Sequence, residues 1–363
     1  MKNSIILSYL FLLIVTQFTF ASEVLASESK KFTKEEIIKS ILPSDYRDRN
    51  IKSKGIGKAP VNIALTKYWG KRNKTLNLPF NSSLSIALPF YSTTIVSLVQ
   101  DKDLIFLNGK ETSSDSSFAK RTREFLNLLR RDDKMFFRVE TTNDLPTASG
   151  FASSASGLAA LVLSLNDLFD WKLESKQLSI LARLGSGSAA RSLYSGFVEW
   201  SAGTRKDGLD SYGLKLQIKE WKDLRLGVIV VSDEQKEVSS RDGMSLAVRT
   251  SPFYKEWVNK ANQDIQLIKD YIAIHDFANL GKVMESNALA MHATAITSTP
   301  PLLYWSPETI SIMHKVWQLR NQNGISVYFT MDAGASPFLF FEKNDTDIIE
   351  KTFPNIKIVK PLF

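Results

Sequence analysis

Residues 146–157 read Pro-Thr-Ala-Ser-Gly-Phe-Ala-Ser-Ser-Ala-Ser-Gly and join a predicted strand to a predicted apolar helix that runs to Leu168. Small residues let a backbone approach a ligand closely, and the free N–H groups at a helix start favour phosphate. Hydroxyl donors are added by Ser153, Ser154 and Ser156. The stretch lacks the Gly and Lys spacing of a Walker A loop or a Rossmann fingerprint. A flexible loop before an Ala-rich helix is the alternative, but the placement between strand and helix favours phosphate binding.

Upstream, residues 59–72 read Ala-Pro-Val-Asn-Ile-Ala-Leu-Thr-Lys-Tyr-Trp-Gly-Lys-Arg. Lys67 and Lys71 stand four residues apart, with Tyr68 between them and Arg72 next to Lys71. This concentration of positive charge and hydrogen-bond donors suits a diphosphate or a carboxylate. The alternative is an edge strand that carries ordinary surface lysines.

Two shorter motifs lie downstream. Residues 185–192 read Gly-Ser-Gly-Ser-Ala-Ala-Arg-Ser, in which Arg191 and two hydroxyls would line a polar cleft. Residues 330–335 read Thr-Met-Asp-Ala-Gly-Ala and place Asp332 at the end of an apolar strand, a common position for a catalytic acid or base. Taken alone, the first pattern slightly favours a helix cap followed by a solvated Arg. The second alone favours an Asx-turn.

Composition narrows the class of ligand. The 363-residue chain carries a net charge of +8, which attracts anions. Its basic residues do not form the blocks typical of nucleic-acid-binding tails, so a small anionic ligand is favoured over nucleic acid. The chain has no Cys, which excludes disulfides, a thiol nucleophile and a Cys-bound metal. With three His, at 275, 292 and 314, we expect no protein-ligated metal site and no catalytic His.

The first residues have a different character. Lys2 precedes an apolar run over residues 5–20, and Ala21 and Ser22 follow it. This order is typical of a secretory signal and is marginal in length for a membrane span. By itself the segment predicts export or anchoring.

Strand and helix patterns alternate irregularly after Gly55, which predicts an α+β or mixed α/β fold. Predicted strands cover residues 83–88, 93–99, 104–107, 135–141, 196–200, 215–218, 226–232, 325–331 and 337–341. Predicted helices follow a capping box at Thr33 and cover residues 116–129, 174–184, 256–274, 276–291 and 310–321. A second domain is expected to begin near Trp221.

Taken in their order along the chain, the four motifs resemble those of the diphosphomevalonate decarboxylase family of the GHMP kinase superfamily, from about Gly57 to Phe341. Residues 81–85, 192–200, 238–244 and 298–301 add to the likeness. The resemblance implies a GHMP kinase fold, with a lobe like domain 2 of ribosomal protein S5 over residues 46–220. A ferredoxin-like lobe over 221–363 would complete it, after an N-terminal apolar segment and linker over 1–45.

The resemblance also assigns roles. Asp332, Lys67 and Arg191 would be catalytic, with Arg191 near the substrate carboxylate. The implied substrate-binding residues are Asn62, Tyr68, Lys71, Ser186, Ser188, Arg191 and Met244. The implied ATP-binding residues are Ser149, Gly150, Ala152, Ser153, Ser154 and Ser156.

Two positions depart from the family pattern. Ala190 replaces a usual Cys, which removes only a thiol, and Ala335-Ser336 replaces a usual Pro-Asn, which we expect to loosen the turn after Asp332.

The implied activity is ATP-dependent decarboxylation of mevalonate 5-diphosphate to isopentenyl diphosphate, ADP, phosphate and CO2, with Mg²⁺. A homodimer is the implied assembly. Because ATP is a cytosolic metabolite, a cytoplasmic location is expected despite residues 5–20. The alternatives are a related kinase or decarboxylase acting on mevalonate or its monophosphate, and an exported anion-binding protein without catalysis.

Overall fold

The computed structural model describes residues 31–144, 153–231 and 237–363, without the side chains of residues 153 and 154. Lys34–Phe363 form one compact unit. The signal-like stretch over residues 5–20 lies outside the described residues. Within the described ranges, no helix combines the length and apolar character needed to cross a bilayer.

The helices of the described ranges are α1 Lys34–Ile41, α2 Ser117–Asn127, α3 Ser153–Leu168, α4 Ser175–Gly185, α5 Ser240–Thr250, α6 Tyr254–Ile274, α7 Phe277–Ile296, α8 Pro307–Asn323 and α9 Thr346–Thr352. The strands are β1 Gly55–Thr66, β2 Lys71–Asn73, β3 Leu78–Pro79, β4 Ser83–Val99, β5 Leu104–Leu107, β6 Lys110–Glu111, β7 Phe136–Asn143, β8 Phe197–Trp200, β9 Gly213–Lys215, β10 Leu224–Val228, β11 Val327–Thr330, β12 Phe338–Glu342 and β13 Lys357–Val359. Short 3₁₀ helices cover Gly187–Arg191 and Lys343–Asp345.

Strand β4 organises the first sheet, which has the order β6-β5-β7-β4-β8-β9 and in which β1 also pairs with β4. The prediction of two separate strands over 83–88 and 93–99 is wrong, because β4 runs unbroken for 17 residues. Its register with β1 shifts between Ala87 and Tyr91, and neither β7 nor β8 pairs with the residues between them. Pro89 lies in that gap, so its missing N–H removes no bond from the ladder.

Helix α3 packs directly on β1 and β4. The approach is so close that a Cβ atom built on Gly57 would lie 2.1 Å from the carbonyl oxygen of Ala160. Only a glycine allows this contact between helix and strand. The close packing fixes the start of α3, where the Ser-rich loop ends, relative to β1, which leads into Lys67.

The second sheet is antiparallel, with the order β11-β12-β10-β13. Helix α8 begins at the capping residue Ser306 with Pro307 in its first turn and ends at Gly324, whose φ of 69° is left-handed. Its buried residues Ile312, Met313 and Val316 pack with Phe329 of β11 in one apolar cluster. This packing fixes β11 and the turn after it, where Asp332 lies.

A single apolar core joins the two sheets. It contains Ile63 of β1 and Ile86 of β4, Leu226 of β10 and Phe340 of β12, and Ile268 of α6. The predicted boundary near Trp221 falls between β9, the last strand of the first sheet, and β10, the first strand of the second. The α+β class is as predicted, with β5–β7 the parallel pair of a largely antiparallel first sheet.

Helix α1 belongs to the compact unit. Its Ile37, Ile38 and Ile41 are buried, and the carbonyl of Ile41 accepts a hydrogen bond from Nε2 of Gln177 at 2.8 Å. The expected linker over residues 1–45 therefore contains a packed helix at its end. Helix α5 was not among the predicted helices, because its sequence carries Gly243 and three polar residues in its first turns.

Candidate active site

The structure brings Lys67 and Asp332 together. Lys67 directly follows β1 and Asp332 lies two residues after β11, and their Nζ and Oδ1 atoms are 2.8 Å apart. The Lys67 side chain is 1% exposed, whereas that of Asp332 is 32% exposed. Burial lowers the pKa of Lys67, Asp332 opposes that effect, and Arg191 adds to it. The pair therefore presents an accessible carboxylate supported from below by a buried ammonium.

The turn after Asp332 is held by several hydrogen bonds. The Gly334 N–H donates to the backbone oxygen of Asp332 at 2.7 Å, and Nε2 of His292 lies 3.2 Å from the same oxygen. The Asp332 side chain pairs with Lys67 instead of capping its own backbone, so the turn leaves the carboxylate partly exposed.

Ala335 and Ser336, which replace the usual Pro-Asn, also make hydrogen bonds in this turn. Thr309 donates to the carbonyl of Ala335 at 2.6 Å, and the Ser336 hydroxyl accepts from the Val231 N–H at 3.1 Å. The loosening of the turn that the replacement of Pro-Asn suggests stays a prediction.

Arg191 lies at the end of the 3₁₀ helix and is 3% exposed. Its Nε donates to the Ser85 hydroxyl at 3.1 Å and its Nη1 to the Ser83 hydroxyl. Burial lowers the pKa of Arg191 to about 10, with Asp332 opposing the shift. Since a guanidinium with that pKa is still protonated at neutral pH, the first sheet holds a fixed cation near Asp332.

Tyr68 offers an unused donor. Its hydroxyl is buried and makes no hydrogen bond with the described residues, and burial raises its pKa. The ring lies 4.7 Å from that of Trp200 in an edge-on contact, and a Cβ atom on Gly187 would come within 2.8 Å of the hydroxyl. A buried O–H without an acceptor is costly, so this position fits an anionic oxygen of a ligand.

A group of cationic side chains lies near Tyr68. Nζ of Lys71 donates to Oδ1 of Asn77 at 2.7 Å. Burial, together with the nearby charges of Arg241, Lys34 and Lys74, lowers the pKa of Lys71 to about 8. The positive charges of these side chains repel one another, and a bound anion would stabilise them. A diphosphate carries negative charge suited to this role.

The remaining predicted substrate-binding residues are distributed around this region. Ser186 and Ser188 are partly exposed, with hydroxyl oxygens 3.5 Å apart. Asn62 is buried and its Nδ2 donates to the Ser192 hydroxyl at 2.6 Å, which places it behind the turn that carries Arg191. Met244 of α5 is buried in an apolar cluster with Trp69. Among these seven residues, Tyr68 is thus the one whose buried polar atom makes no hydrogen bond within the described part of the chain.

The predicted ATP-binding loop is described only at its end. Ser149, Gly150 and Ala152 lie outside the described residues. Ser153 and Ser154 begin α3, which contacts the 3₁₀ helix that carries Arg191. The Ser156 hydroxyl is buried and lies 2.7 Å from that of Ser92. Helix α3 and the turn that carries Arg191 are therefore adjacent.

Sequence reasoning missed several residues of the site. Asn81 and Arg241 were recognised only as parts of motifs, and nothing near Asp264 or Asn287 in the sequence indicates a site. Nδ2 of Asn81 donates to the Lys67 carbonyl at 2.8 Å, and Oδ1 of Asn287 accepts from the Lys67 N–H at 2.8 Å. Asn287 comes from a distant part of the chain, 220 residues from Lys67, and no local pattern distinguishes it from other asparagines.

Comparison with known proteins gives the chain a family. Residues 59–213 match the model of a diphosphomevalonate decarboxylase-like N-terminal domain, and residues 226–359 match that of a mevalonate 5-diphosphate decarboxylase C-terminal domain. The diphosphomevalonate decarboxylase of Debaryomyces hansenii is 36% identical over 309 residues, which are 79% of this chain and 79% of that protein.

Solved structures agree. Mevalonate diphosphate decarboxylase from Staphylococcus aureus has a TM-score of 0.80 at 37% identity, covering 85% of this chain and 96% of that one. A protein called MDDEF, solved in complex with MVAPP, AMPPCP and magnesium, has a TM-score of 0.80 at 39% identity with the same coverage. The expected α+β fold of GHMP kinase type is thereby confirmed. With two family models that together span well over half of its length, the chain belongs to the diphosphomevalonate decarboxylase family.

Proposed function

We propose that this protein decarboxylates mevalonate 5-diphosphate in an ATP-dependent reaction that yields isopentenyl diphosphate, ADP, phosphate and CO2. The observation that carries the proposal is the 2.8 Å contact between Lys67 and Asp332 beside the buried Arg191, in a chain of this family. Asp332 and Lys67 would serve the substrate hydroxyl, and Arg191 would serve the substrate carboxylate. The three charged groups lie close enough for one substrate to meet them all.

The reaction begins at the tertiary hydroxyl, which is a poor leaving group. Asp332 orients this hydroxyl and accepts its proton as the oxygen attacks the γ-phosphorus of ATP and the bond to ADP breaks. Lys67 donates to Oδ1 of Asp332, and no described residue donates a hydrogen bond to Oδ2. The second oxygen is therefore free to face the substrate hydroxyl.

Decarboxylation follows from the phosphorylated intermediate. The C–O bond breaks and phosphate leaves with the electron pair, which builds positive charge on the tertiary carbon. The bond to the carboxylate then breaks, its electrons form the double bond, and CO2 departs. Arg191 holds the carboxylate in line for this step, since its guanidinium is fixed by Ser83 and Ser85.

The residues fit the charge of the proposed ligands. The Tyr68 hydroxyl, Lys71 and Arg241 would bind the diphosphate, and the start of α3 would face the nucleotide phosphates. No group of three His, Cys, Asp or Glu side chains within residues 31–144, 153–231 and 237–363 is placed to hold a metal ion. Mg²⁺ would be carried mainly by phosphate oxygens, where it neutralises charge on the transferring phosphoryl group.

A three-substrate assay tests this function. Purified protein is incubated with ATP and either mevalonate, its 5-phosphate or its 5-diphosphate, while ADP and CO2 are both measured. We expect both products with the diphosphate alone. ADP without CO2, or preference for one of the other two substrates, would instead indicate a related kinase or decarboxylase. An absence of ATP binding by calorimetry would favour an anion-binding protein without catalysis.

The use of ATP also supports a cytoplasmic location, because ATP is abundant there. Cell fractionation tests this inference. Recovery of mature protein outside the membrane, with its N-terminus near Ser22, would contradict it.

A further inference from the structure

A chain of buried hydrogen bonds leads from Lys67 into the helices of the second half of the protein. Oδ1 of Asn287 accepts from the Lys67 backbone N–H at 2.8 Å, and Nδ2 of Asn287 donates to Oδ2 of Asp264 at 2.8 Å. Both oxygens of Asp264 lie 2.9 Å from Nζ of Lys260. Asn287 is 0% exposed and Asp264 is 4% exposed, so water does not replace these bonds.

The chemistry of the partners fixes the orientation of Asn287. A carboxylate only accepts hydrogen bonds, so Asp264 must face the amide nitrogen of Asn287 and leave its oxygen toward Lys67. Lys260 balances the buried charge of Asp264 from a partly exposed position, with 35% of its side chain exposed. The hydrogen bonds therefore run in one order, from the ammonium of Lys260 on α6 through Asp264 and the Asn287 amide to the backbone N–H of Lys67.

Lys67 needs this support because of its place in the chain. The ladder between β1 and β4 ends at the pair of Thr66 and Leu84. One residue further on, side-chain amides satisfy both backbone polar groups of Lys67. Asn81 holds the carbonyl at 2.8 Å and Asn287 holds the N–H. The backbone position of Lys67 sets where its long side chain brings the ammonium against Asp332.

We propose that Asn287 and Asp264 are positioning residues, which hold the backbone of Lys67 so that its ammonium meets Asp332. This inference rests on the proposed function. The residues act through Lys67 and do not touch the substrate. They also link the two halves of the catalytic pair, since α6 and α7 lie in the same half of the chain as Asp332 while Lys67 follows β1.

Removing the Asn287 amide, which accepts from the Lys67 N–H, tests whether Asn287 positions Lys67. Asn287→Ala should lower kcat by about 10- to 100-fold, because small displacements of a catalytic group have effects of that order. The dissociation constants of ATP and mevalonate 5-diphosphate should change less than about threefold, since the phosphate-binding groups are untouched. A matched control is Thr294→Val, which removes a buried hydroxyl of α7 that donates to the Met291 carbonyl at 2.7 Å. The control should leave kcat unchanged.

Exchanging the two side chains tests the network itself. Asn287→Asp alone places two carboxylates in contact and should lose as much activity as Asn287→Ala. Adding Asp264→Asn restores one donor and one carboxylate in that contact, and an oxygen at position 287 again faces the Lys67 N–H. We expect the double variant to regain at least about tenfold in kcat over Asn287→Asp, on the same scale of positioning effects.

Several outcomes would overturn the inference. These are wild-type kcat in Asn287→Ala, a loss confined to substrate affinity, or a double variant no more active than Asn287→Asp. Thermal unfolding is followed for each variant; if Asn287→Ala does not fold, the comparison of Asn287→Asp with the double variant decides. An inactive wild-type protein in the same assay would contradict the proposed function rather than this inference.

Discussion

At the residue scale, the proposed chemistry depends on one oxygen atom of Asp332. Asp332→Asn keeps the size of the side chain but removes its charge and its ability to accept a proton. We expect kcat to fall by roughly 10²- to 10⁴-fold, the range of general acid–base catalysis, while calorimetry detects ATP and substrate binding close to that of the wild type. Asp347→Asn, an exposed carboxylate on α9, is the control. Turnover like that of the wild type in Asp332→Asn would remove Asp332 from the mechanism.

Lys71 predicts a pH dependence at the same scale. Its pKa is about 8 in the folded protein, against an ordinary value of 10.5. Above about pH 8 the folded protein loses this charge, so the KM for mevalonate 5-diphosphate should rise between pH 8 and 10. Lys71→Gln should have a higher KM at pH 7 and a flatter profile, whereas Lys360→Gln, an exposed lysine paired with Glu220, should follow the wild type. An unchanged profile in Lys71→Gln would contradict the assignment.

The same shift has a defined effect on stability. Between about pH 8 and 10.5 the unfolded chain binds more protons at Lys71 than the folded one does. The contribution of Lys71 to the free energy of unfolding therefore rises with pH between about pH 8 and 10.5. The ligand-free protein thus carries a cost for holding Lys71 charged below pH 8, which a bound anion would relieve.

At the element scale, the contact between β1 and α3 fixes the start of α3 relative to the strand that leads into Lys67. Gly57→Ala places a methyl group against the carbonyl of Ala160, which must move. We expect the free energy of unfolding to fall by about 1–3 kcal/mol, as for other overpacked sites. Gly157→Ala, on helix α3, is the control, because its Cβ would meet only Thr141, at 4.0 Å. Urea unfolding measures both, and equal stability of the two variants would contradict the close packing.

Element boundaries show why local patterns have limits. The apolar periodicity of α6 and α7 was sufficient to predict both helices to within a few residues at most ends. The unbroken β4 was not predictable, since Pro89 is tolerated only because the register with β1 shifts beside it. A register shift is a property of two strands, and one strand's sequence does not contain it.

At the scale of the whole molecule, the two sheets share one apolar core, so they should unfold together. Phe340→Ala, at a fully buried position of β12, should cost about 3–5 kcal/mol. Hydrogen–deuterium exchange should then accelerate in β4 as well as in β12. Leu303→Ala, at a 60% exposed position, should accelerate neither. Faster exchange restricted to residues after 221 would show that the two halves unfold separately.

The sequence by itself determined the α+β class, most elements and the family. Within the site, the family resemblance carried by four short motifs singled out Asp332, Lys67, Arg191, Tyr68 and Lys71, although the Asp332 and Arg191 motifs taken alone favoured an Asx-turn and a helix cap. Only the tertiary structure decided that Lys67 meets Asp332, 265 residues away, and that Asn287 and Asp264 hold it there. Hydrogen bonds in a buried site depend on distance in space. The packing of two sheets on one core brings together residues that are far apart in the sequence, so local sequence patterns do not reveal these contacts.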